Sequence, residues 1–99
     1  MVMDVLLVRR AGLTWALKRD EVVSIARQRE GEEVLLRSGS VHVDAVLGVQ
    51  RELPVHGAGP ILRRLLPPAC LGVAVVSGEP VAVLASPITL TAVTTGEGG

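Results

Sequence analysis

Aromatic residues are almost missing from this chain: one Trp, no Tyr and no Phe in 99 residues. That argues against single-strand nucleic-acid binding, which stacks bases on aromatic platforms. Lys plus Arg number 10 and Asp plus Glu number 10. The basic excess that neutralises phosphates is therefore absent too. A single cysteine, Cys70, allows no internal disulfide and no four-cysteine zinc site. The apolar run Met1 to Arg10 is interrupted by Asp4 and the pair Arg9-Arg10, too early for a signal peptide or membrane span. These features place the expected protein in the cytoplasm.

What is abundant is aliphatic. Hydrophobic residues make up 48% of the chain and charged residues 20%, enough for one packed core. A domain of this size buries only about 60% of its unfolded surface, so a partner or dimer contact bears on its stability. One domain is expected over residues 1–93, with a frayed tail at 94–99.

The apolar pattern has the period of strands. Val2 to Arg9 forms one run, turned at Arg10-Ala11-Gly12. Leu13, Trp15 and Leu17 then alternate with Thr14 and Ala16, which puts the first three on one face, toward the core. Trp15 reads as the large core residue rather than an exposed anchor. Lys18 to Glu21 is a charged break, long enough for one helical turn, before a run at Val22, Val23 and Ile25. Arg27 to Glu33 reads as a solvated loop or hairpin end. Strands follow at Val34 to Arg37, turned at Ser38-Gly39-Ser40, and at Val41 to Val49.

Pro54 to Pro60 reads as a loop, and Ile61 to Leu66 as a short helix begun by Pro60 and stopped by Pro67-Pro68. Leu71 to Val76 and Val81 to Ala85 form a hairpin around Ser77-Gly78-Glu79-Pro80. Pro87 to Val93 adds an edge strand. Six or seven short strands, one short helix and no βαβ rhythm predict an all-β fold: a small antiparallel barrel, closed or half-closed, since closure removes exposed edges.

Reactive constellations are few, and no enzyme is expected. His42 and Asp44, two apart on a strand, share a face and could give two metal ligands; with no third nearby they read as a solvent-facing edge. The loop His56-Gly57-Ala58-Gly59-Pro60 lacks the spacing and the lysine of a phosphate loop. No Gly-x-Ser-x-Gly elbow occurs. Cys70 leads an apolar strand and reads as inert packing. The pairs Asp20-Glu21 and Glu32-Glu33 and the pair Arg63-Arg64 read as solvated charge, the last also as a docking charge for an acidic partner. No catalytic residue, cofactor or metal is expected.

Three segments carry a family resemblance. The stretch Ala11 to Ile25 (Ala-Gly-Leu-Thr-Trp-Ala-Leu-Lys-Arg-Asp-Glu-Val-Val-Ser-Ile) resembles the opening of CheW-like domains: a Gly turn, an aromatic-Ala-Leu strand, an acidic turn and a Val-x-x-Ile element. Val43-Asp44-Ala45-Val46-Leu47-Gly48-Val49 is similar to their Val-Asp-x-Val-x-Gly-Val strand, and Cys70 to Leu84 to their closing hairpin. The segments come in family order and span about three quarters of the chain. Ser24 stands where the family often has Glu, and Leu36-Arg37-Ser38-Gly39 where it has Asn-Leu-Arg-Gly.

The resemblance implies SH3-like barrels and a non-catalytic adaptor that links chemoreceptors to a CheA-type histidine kinase, or binds another CheW-like domain, through apolar grooves. The chain is short for the family's two barrels, which leaves open one minimal barrel or half of a fold completed by dimerisation. The residues expected at the partner surface are Val22, Val23, Ser24 and Ile25, with Arg37 as polar anchor and Leu47 and Gly48 in the same groove, burying about 600–800 Å² per partner. Core packing of Val22 or Ile25 competes with that role. Two other classes stay open: a β protein that self-assembles by strand addition, and a small enzyme.

Overall fold

The computed structural model describes residues 1–57 and 70–84. Eight strands run β1 Val2–Arg10, β2 Leu13–Lys18, β3 Val22–Arg27, β4 Glu32–Leu36, β5 Gly39–Val43, β6 Ala45–Pro54, β7 Cys70–Val76 and β8 Glu79–Leu84. One 3-10 turn, Arg19–Glu21, occupies the charged break. The expected helix at 61–66, the edge strand at 87–93 and the tail lie outside the described residues.

Two hairpins close on two-residue turns. Ala11 and Gly12 have φ 57° and 79°, and Ser77 and Gly78 have 52° and 82°. Two successive positive φ values match the right-handed twist of the flanking strands, so such turns suit tight hairpins. The third tight turn is Arg37-Ser38, with Gly39 already paired to Leu36 in the ladder.

The strands form two sheets, in the orders β6-β1-β2-β8-β7 and β3-β4-β5. All pairs are antiparallel except β2–β8, where Trp15, Ala16 and Leu17 run parallel to Ala82, Val83 and Leu84. No ladder closes the larger sheet among the described residues. Its two edge strands are joined at one point: past the end of β6, His56 and Val73 exchange two backbone hydrogen bonds of 2.9 and 2.8 Å. This bridge spans the seam between the two edges of the larger sheet.

Alternation along β1 explains its unbroken apolar run. Leu6 and Val8 pack with Trp15, Leu17 and Leu84 against Val34, Leu36, Val41 and Val43 of the smaller sheet. Val5 and Leu7 point the other way, into a cluster with Ala16, Leu53, Val55, Ala74, Val81 and Val83. The middle of the larger sheet is thus buried on both faces, and a strand so placed has no polar face. Trp15 is in the core as expected, its Nε1 donating to Arg10 O at 3.3 Å. Leu13 is not. It pairs with Arg10 next to the Ala11-Gly12 turn and is 58% exposed.

The strand expected from Val41 to Val49 is two strands. The chain bends at Asp44 and changes sheets, β5 pairing with β4 and β6 with β1. Asp44 fixes this corner twice. Its backbone N–H donates to Arg9 O at 2.8 Å, and its carboxylate accepts the Ala11 N–H at 3.0 Å. The Arg10 guanidinium adds a bond to His42 O.

Candidate interaction surfaces

β3 is an edge strand of the smaller sheet. Its ladder with β4 slips once: Val22 faces Leu36, Ser24 faces Leu35, and Val23 is the extra residue of a bulge. Cross-strand partners share a face. Val22 therefore points inward beside buried Leu36, and Ile25 inward beside buried Val34, while Ser24 shares the outer face with Leu35. The bulge is what lets Val22 and Ile25, three apart, share the core side. Val22 is half-buried against the core. Ile25, with no strand beyond it, is 42% exposed, and Val23 is 65% exposed.

Arg37 lies in the turn after β4, exposed, its backbone N–H bonded to Glu21 O at 3.1 Å. It is therefore tied to the residue that precedes β3. Leu47 and Gly48 lie elsewhere, on β6, the edge of the larger sheet. Leu47 is the extra residue of a second bulge, 50% exposed, and Gly48 beside it has φ 138°. Val22–Ile25 and Leu47–Gly48 thus sit on edge strands of different sheets that do not pair with each other. They make two surfaces rather than one groove. Val49, 48% exposed beside Leu47, and exposed Leu35 belong to these surfaces and were not singled out from the sequence. Val49 was findable, since it follows Leu47 at strand period.

Reactive groups remain peripheral. No polar or charged side chain is buried among the described residues, and no group of three His, Cys, Asp or Glu there could hold a metal ion. His42 and Asp44 do meet Arg10 and Ala11 around an open cleft. Their bonds there tie the β1–β2 turn to the sheet-switching corner, and the His42 Nδ1 stands 4.0 Å from Glu33. Cys70 is half-buried, and its thiol donates to Gly72 O at 3.1 Å. No helix among the described residues is long and apolar enough to cross a membrane. No protein-family model matches the chain, and no curated protein matches its sequence.

Proposed function

We propose that the chain is a non-catalytic, CheW-like adaptor of a cytoplasmic bacterial chemosensory or related two-component system. It docks a CheA-type histidine kinase, a chemoreceptor or another CheW-like domain. One observation carries the reading: exposed apolar side chains stand on edge strands of two different sheets, Val23 and Ile25 on β3 and Leu47 and Val49 on β6. A linking module needs two faces that can be occupied at once. Apolar anchors with a nearby arginine are the usual energetic centre of such faces, and Arg37 is held beside the start of β3. Neither face requires a cofactor.

The test is light scattering after size exclusion, with and without the regulatory domain of a CheA-type kinase from the same genome. The adaptor reading expects one co-eluting complex, weakened by Leu47→Glu and by Arg37→Ala. A chain that ignores the kinase domain and forms large assemblies by itself ends the coupling role.

A further inference from the structure

We draw no further inference here: the strongest candidate, the β3 edge of the smaller sheet with its exposed Val23 and Ile25, carries nothing, because nothing in the structure shows what covers it.

Discussion

Replacing Gly72 by Ala tests the seam of the larger sheet. The backbone of Gly72 is not in the left-handed region, so alanine is conformationally allowed there. In the unfolded chain the change removes freedom, which taken alone stabilises a protein by about 0.4–1 kcal/mol. In the folded chain the new Cβ would stand closer than 3.0 Å to His56 O and 3.0 Å from Val55 Cγ1. The segment at Val55 and His56 must then move off β7. That breaks the two His56–Val73 bonds, worth roughly 1 kcal/mol each at this partly exposed site, and begins to expose Val55, which is buried. Full exposure of such a side chain costs about 1.5–3 kcal/mol. Counting half of that, the net destabilisation is about 2 kcal/mol, or a drop in Tm of roughly 10 °C for a domain of this size. Urea denaturation followed by Trp15 fluorescence measures it. An unchanged or raised midpoint would refute the seam, because without the bridge only the unfolded-state term remains.

Three further outcomes are expected. Leu17→Ala empties a fully buried site between the sheets and should destabilise by about 2–5 kcal/mol in the same denaturation experiment. Ala11→Asn relieves a residue held at φ 57° in a two-residue turn that Asn-Gly favours, and should raise the unfolding free energy by about 1 kcal/mol. Arg37→Ala removes an exposed side chain while keeping the backbone bond to Glu21, so stability should stay within about 0.5 kcal/mol of the parent while titration with the kinase domain shows weaker binding.

The local parts of this fold are legible in the residues. Gly12 and Gly78 mark hairpin turns because each turn takes two positive φ values. Trp15 and Leu17 alternate into the core for the reason their period suggests. The long-range parts are not. The alternation of Val41, Val43, Ala45, Leu47 and Val49 runs past Asp44 without a break, and the bonds from Asp44 to Arg9 and Ala11 mark where the chain turns. Ala16 looks like the polar side of β2, yet it is buried, because a second cluster lies behind the sheet. The parallel pairing of β2 with β8 joins residues more than sixty apart, which no local pattern encodes. At the candidate surfaces, Val22 to Ile25 show as one apolar run. The bulge that sorts Val22 and Ile25 inward and leaves Val23 exposed is a property of the pairing with β4.

β8 lies inside the larger sheet, between β2 and β7, although it is the last of the described strands to leave the ribosome. Until residues 79–84 emerge, β2 has β1 on one side and an open edge on the other, with Trp15, Ala16 and Leu17 awaiting their partners. Up to that point the nascent chain carries an incomplete apolar sheet, whose register is not yet fixed. Chains completed by such distant pairings fold slowly and expose unpaired edges in the interval. The pairing of β8 with β2 and β7 is thus the last step that completes the larger sheet among the described strands.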